Sequence, residues 1–232
     1  MSLMTSLPAG YRALVIGASG GIGEAMAAVI AADDTCGELL RLSRSADGLD
    51  VTNEESVSAA ASAIAGEFHL IFCATGGLTI DGIGPEKSLR QISGEVMMKQ
   101  FALNAVGTAL VTKYFATKLA KRERALMAFL SARVGSIGDN HLGGWISYRA
   151  SKAALNQIVR TASIELARSH PESVLLSLHP GTVATTLSEK YSGNHERTEP
   201  EVSARNMLSV LDRASPAETG RFYAYDGQPI EW

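Results

Sequence analysis

The chain is poor in the features that mark secreted, membrane-spanning or nucleic-acid-binding proteins. It has two cysteines in 232 residues, Cys36 and Cys73. Each sits in apolar context without metal-ligand neighbours, so both read as reduced core thiols rather than a disulfide framework or a metal site. That usage points to the cytoplasm. No apolar run approaches the roughly 20 residues that span a bilayer, and no charged segment followed by an apolar one opens the chain, so neither membrane nor secretion is expected. Met-Ser-Leu-Met at the start reads as an added leader ahead of Met4 and is set aside. The 21 basic and 24 acidic side chains leave a net charge of −3 and are scattered. A basic face for a polyphosphate backbone is therefore missing, and nucleic acid is not an expected partner. Internal repeats, low-complexity tracts and Pro/Gly-rich linkers are also missing, which leaves a single domain over residues 1–232.

What is present is alternation. Short apolar runs at 12–18, 38–43, 69–75, 124–131 and 173–180 end in turn residues and read as buried strands. Between them, 21–32, 53–65, 88–119 and 145–168 carry apolar positions three and four apart, as amphipathic helices do. A further helical pattern covers 201–213, and 221–227 adds a candidate edge strand. Strand alternating with helix implies right-handed crossovers, hence an α/β fold: a three-layer, doubly wound parallel sheet of Rossmann type. Ligands of such folds bind beyond the carboxyl ends of the strands. The polar stretch 186–200 lacks periodicity and reads either as a substrate lid or as an ordinary surface loop.

The first strand runs into Val-Ile-Gly-Ala-Ser-Gly-Gly-Ile-Gly. Gly17 ends the strand, and Gly20, Gly21, Ile22 and Gly23 lead into the first helix. A sharp turn and the approach of a pyrophosphate to amide N–H groups at a helix N-terminus both call for glycine. The position of the motif between first strand and first helix predicts dinucleotide binding. Ser19 adds a hydroxyl to the phosphate or stabilises the turn. The second strand ends Leu-Ser-Arg-Ser. An acid there would read a ribose 2′-hydroxyl, whereas Ser43 followed by Arg44 leaves room and charge for a 2′-phosphate, so NADP(H) is preferred over NAD(H).

Tyr-Arg-Ala-Ser-Lys, at 148–152, is the strongest chemical signal. A proton donor is needed where hydride transfer to a carbonyl develops an alkoxide, and tyrosine is a weak acid at its usual pKa of about 10. A nearby ammonium favours the phenolate. Tyr148 and Lys152, at i and i+4, share a helix face and supply that pair; Lys152 is also placed to hold the nicotinamide ribose.

With Gly17, Gly21 and Gly23 spaced G-x-x-x-G-x-G, and with Tyr148 and Lys152 following, the chain resembles the short-chain dehydrogenase/reductase family from residue 12 onward. Gly17, Gly20 and Gly23 also fit the G-x-x-G-x-x-G of long, epimerase-like members, but the chain leaves no room for their extra domain. The resemblance implies further roles. Asp50 and Val51 match adenine-contacting positions, although Asp50 also reads as a cap for a helix near Asn53. Asn104, in Phe-Ala-Leu-Asn, matches a helix-kinking asparagine that holds a water in a proton relay. Pro180, Gly181, Val183 and Thr185 match the loop beside the nicotinamide carboxamide, and His179 reads as structural. A short strand near residue 50 is also implied. Residues 131–156, with the ending Tyr-Asp-Gly-Gln-Pro-Ile-Glu-Trp, are similar to the C-factor-like branch, which holds bacterial cell-contact signalling proteins and sniffer-type carbonyl reductases.

Two positions depart from that pattern. Ala74, followed by Thr75 and Gly76, stands where the family has Asn-Ala-Gly, so Gly76 keeps the turn and a stabilising hydrogen bond is in question. Ala132 stands where the family carries its catalytic serine, three residues before Gly135. Ser131 is the favoured substitute and Ser136 the other; Ser147 points about 100° away from its neighbour Tyr148 on a helix and is discounted. The expected protein is an NADP(H)-dependent reductase of a small carbonyl or alcohol, with Tyr148, Lys152, Asn104 and Ser131 as its catalytic set, and a homo-oligomer, dimer or tetramer, through its long helices. The competing expectation, raised by Ala74 and Ala132, is a nucleotide-binding signalling protein with little turnover.

Overall fold

The computed structural model describes residues 2–185 and 197–232. Six strands form one parallel sheet in the order β2-β1-β3-β4-β5-β6: β1 Tyr11–Ile16, β2 Cys36–Leu42, β3 Leu70–Cys73, β4 Ala125–Leu130, β5 Ser173–His179 and β6 Phe222–Ala224. Alternate strand residues feed two cores. Ala13, Val15, Phe72, Ala128 and Leu176 pack under α1 (Gly21–Ala31) and α7 (Pro200–Arg213). Leu14, Ile16, Ile71, Met127 and Leu175 pack under α3 (Glu54–Ala63), α5 (Gly107–Phe115) and α6 (Ile146–Leu166). Burial of both faces is why the strands read as continuous apolar runs. Strand order reverses at β1, so the crevice lies beyond β1 and β3, where the glycine-rich turn and the Ala74–Gly76 turn emerge.

Two segments differ from the sequence pattern. Residues 88–119 do not form one helix: α4 (Gly94–Phe101) and α5 are joined by a π-helical turn, Ala102–Val106, and 3-10 turns flank the pair. The Ser93 side chain accepts from Val96 N–H and sets the start of α4. The short strand near residue 50 is also missing. Leu49 N–H donates to Ser43 O and Asp50 N–H to Ser56 Oγ, so those donors are used locally and β2 remains the sheet edge. A four-residue helix, α2 (Arg44–Asp47), follows β2 directly.

Most of 186–200, the candidate lid, lies outside the described residues. On its described flanks, Thr198 N–H donates to Thr182 O and Ala184 N–H to Thr198 O, joining the loop after β5 to the approach to α7. Among the described residues no helix is long and apolar enough to cross a membrane.

Candidate active site

Each glycine of the first turn meets a different steric demand. Gly17 has φ +85°, and a Cβ on Gly23 would lie 2.1 Å from Gly17 O. On Gly21 a Cβ would meet Thr185 Cγ2 at 2.8 Å, whereas on Gly20 it would meet nothing nearer than Gly17 O at 3.7 Å. Packing therefore demands glycine at 17, 21 and 23, the first of the two spacings. Gly20 is the N-cap of α1 and provides no side-chain cap, so the N–H groups of the first turn face outward with the positive end of the helix dipole.

These amides open on a cavity of about 430 Å³. Ser19 and the 20–23 turn form one wall, residues 74–77 after β3 a second, and the loop after β5, with Pro180, Gly181, Val183 and Thr185, a third. The remaining wall carries Leu130, Ser131, Ala132, Tyr148, Lys152 and His179. Thus the sheet brings together residues from five separate stretches of sequence. Gly17, Ser43, Arg44, Asp50, Val51 and Asn104 do not line this cavity.

The beginning of α6 orients Tyr148. Trp145, the N-cap, has φ +54° and no side-chain cap of its own. The cap comes from Glu86, whose buried carboxylate accepts from Ser147 N–H at 3.2 Å and from Ser147 Oγ, while its carbonyl accepts from Trp145 N–H. Ser147 is thereby committed to Glu86. The Trp145 ring meets Tyr148 edge-on, with centroids 6.4 Å apart. Glu86 carries no periodic signature in the sequence, so its role becomes visible only when the loop folds back on α6.

Lys152 is 3% exposed and donates from Nζ to Leu130 O at 2.9 Å. Burial brings its pKa down to about 8. Nζ lies 5.8 Å from the Tyr148 ring centroid. Tyr148 does not show the lowered pKa expected of a phenol beside an ammonium: burial raises it instead. The phenol is thus held in its protonated form. Gly76, at φ +147°, passes close to the lysine, and a Cβ there would sit 2.9 Å from Lys152 Nζ and 3.1 Å from Asn104 Oδ1.

Asn104 occupies the π-helical turn, as the kink implied by the resemblance would have it. Its amide clamps the loop after β3, accepting from Gly77 N–H and donating to Gly77 O, both at 3.0 Å. It also donates to Gln100 Oε1 at 2.7 Å and reaches Ser151 Oγ at 3.2 Å. The loop that carries Ala74 is therefore held by an asparagine from the turn between α4 and α5. The Asn104 carbonyl accepts from Thr108 Oγ1.

Of the candidate serines, Ser131 lies on the cavity wall, and its Oγ donates to Asn156 Oδ1 at 2.7 Å. Ser136 does not line the cavity; its Oγ accepts from Asp139 N–H at 3.0 Å and shapes the loop. Burial lowers the His179 pKa to about 4, so its ring is neutral at physiological pH.

Beyond the cavity, the Ser43 hydroxyl accepts from Ala46 N–H as the N-cap of α2, and Arg44, directly after it, is exposed. Asp50 accepts from Thr52 N–H and Oγ1, and these bonds lower its pKa, with Arg44 adding to the effect. The cap of α3 is Asn53 rather than Asp50. Val51 is buried against Gly107, where a Cβ would meet Val51 Cγ2 at 3.0 Å. Among the described residues no cluster of three or more His, Cys, Asp and Glu side chains is suited to a metal.

Known proteins resemble this chain in sequence and in fold. A 1-hydroxy-2-glutathionyl-2-methyl-3-butene dehydrogenase of Rhodococcus sp. (strain AD45) is 33% identical over 188 residues, 80% of this chain and 79% of that protein. C-signal of Myxococcus xanthus is 38% identical over 138 residues, 59% of this chain and 78% of that one. The crystal structure of NADPH-bound carbonyl reductase from chicken fatty liver superposes with a TM-score of 0.80 at 24% identity, over 96% of this chain and 99% of that chain. Residues 11–196 match the short chain dehydrogenase family as a whole. Because that match covers well over half of the sequence, the chain belongs to the short chain dehydrogenase family of oxidoreductases.

Proposed function

We propose that the protein is an NADP(H)-dependent reductase of small carbonyl compounds. The observation that carries this reading is that Tyr148, Lys152 and Ser131 line the same cavity as the uncapped N-terminus of α1 and the loop after β5. A turn with no room for a Cβ at Gly21 or Gly23, opening on a helix N-terminus, suits a pyrophosphate. Gly17, Ser19, Gly21, Ile22 and Gly23 would hold it, Asp50 and Val51 would border the adenine, and Ala74 and Gly76 would pass beneath the ribose. Pro180, Gly181, Val183 and Thr185 would border the carboxamide. When bound, the cofactor supplies the hydride.

The chain's own residues move the proton. Tyr148, kept protonated by burial, donates to the developing alkoxide. Lys152 stabilises the phenolate that results and holds the ribose. Asn104 keeps the loop after β3 at its distance from Lys152, and the Ser131 hydroxyl polarises the carbonyl oxygen.

Arg44 is the group we assign to the 2′-phosphate. Arg44→Ala is expected to weaken NADPH binding by about 10-fold or more, the size of one lost charge-assisted hydrogen bond, and to leave NADH binding within about 2-fold. Fluorescence titration with both nucleotides checks this, and an unchanged preference removes Arg44 from the assignment.

A second reading rests on Ala132 together with the likeness to C-signal: a nucleotide-binding regulator with little turnover. Tight NADPH binding, with no reduction of any aldehyde, ketone or quinone offered, would favour it.

A further inference from the structure

The hydroxyl beside Ala132 belongs to Ser131, and a residue of α6 determines what it can do. Ser131 and Asn156 are 3% and 2% exposed, and Ser131 Oγ donates to Asn156 Oδ1 at 2.7 Å. In that orientation the single hydroxyl proton of Ser131 is taken by the amide, and toward the cavity Ser131 accepts only. The same orientation leaves Asn156 Nδ2 buried with no partner among the described residues. An orphaned buried N–H is rare and costly, whereas an under-satisfied carbonyl oxygen is better tolerated.

A half-turn of the amide exchanges its two terminal atoms. Nδ2 then donates to Ser131 Oγ, the hydroxyl proton is released toward the cavity, and the atom without a partner becomes an oxygen. Asn156 lies one turn beyond Lys152 and two beyond Tyr148 on α6. One helix thereby carries the proton donor, its cation and the amide that governs the neighbouring hydroxyl.

Resting on the reductase reading, we propose that Asn156 is a positioning residue: its amide nitrogen holds Ser131 Oγ so that the hydroxyl proton points at the substrate carbonyl, in place of the group that Ala132 lacks. Toward the substrate Ser131 is a hydrogen-bond donor, and Asn156 acts only through it.

The test uses the full chain with NADPH and the best-reduced ketone of a panel, in Ser131→Ala, Asn156→Leu, Asn156→Asp and the double variants. Ser131→Ala is expected to lower kcat by about 100-fold, as loss of an oxyanion donor does, with NADPH affinity within about 2-fold. Asn156→Leu should lower kcat by about 10-fold or more and cost less than about 2-fold further once Ser131 is Ala. Asn156→Asp should be equally impaired while its carboxylate is ionised and recover as pH falls, because a protonated carboxyl donates to Ser131 Oγ and a carboxylate does not. A purely structural asparagine would give neither that pH profile nor that non-additivity.

A second readout needs no turnover. The Asn156 side-chain amide signal in a ¹⁵N-labelled sample, assigned by its loss in Asn156→Asp, should shift on Ser131→Ala. Unchanged kcat in Ser131→Ala, fully additive losses in the double variant, or an amide signal unmoved by Ser131→Ala would each overturn the proposal. If Asn156→Leu does not fold, Ser131→Ala, which removes one oxygen, decides through both kcat and the amide signal. Wild-type protein that binds NADPH but reduces no carbonyl defeats the reductase reading instead, and the amide signal still reports whether Asn156 and Ser131 are bonded.

Discussion

Replacing Tyr148 with Phe is expected to lower kcat by roughly 100- to 10,000-fold, the range that a positioned general acid contributes, while NADPH still binds. The substitution deletes one oxygen and keeps the ring, so the edge contact with Trp145 persists and a lost fold cannot account for the result. Turnover that survives in Tyr148→Phe would defeat the assigned mechanism. The lysine adds a signature in pH. Burial holds Lys152 at about 8, so the ammonium is present below that pH and lost as pH rises through it. Tyr148, raised by burial, stays protonated across the same range. Carbonyl reduction should therefore show an alkaline limb near pH 8, and Lys152→Met should remove that limb together with most of the activity. The effect on stability has the opposite sign. Between about 8 and the ordinary value of 10.5 the unfolded chain holds a proton that the folded chain does not, so the contribution of this residue to stability rises with pH across that window.

Gly23→Ala is expected to be the most damaging glycine-to-alanine change among the described residues. Its Cβ would lie 2.1 Å from Gly17 O, 2.9 Å from Gly17 C and 3.2 Å from Ala74 Cβ. Two of those neighbours are backbone atoms of a turn fixed by Gly17 N–H and Ala18 N–H, which both donate to Leu42 O, so the turn cannot retreat without breaking its tie to β2. Overpacking of a rigid site costs about 1–3 kcal/mol, and here more. Cofactor binding should be lost along with it. Gly20→Ala is the matched control: φ is −85° and the nearest atom lies at 3.7 Å, so thermal unfolding should be unchanged. A Gly23→Ala protein as stable as wild type would show that the turn is not packed as described.

Much of this protein was legible one residue at a time. The alternation of short apolar runs with amphipathic stretches specified a parallel α/β sheet, because burial on both faces imposes one pattern on strands and burial on one face another. The glycine-rich turn and Tyr148–Lys152 were equally legible, since both depend on spacing within a single turn or helix. Residues 88–119 resisted, because a π-helical turn around Asn104 leaves the helical period nearly intact.

The tertiary structure decided what depends on partners distant in sequence. Whether Gly20 or Gly21 is the required glycine follows from Thr185, more than 160 positions away along the chain, pressing on Gly21. The state of Tyr148 and Lys152 follows from burial beneath the loops after β3 and β4, which reversed the sign expected for the tyrosine. Glu86 as the cap of α6, Asn104 as the clamp on Gly77, and Asn156 as the partner of Ser131 each join two separate layers of the fold. Spacing fixes which side chains share a helix face, but the dielectric around them and the hydrogen bonds left to them are set by whatever packs against that face.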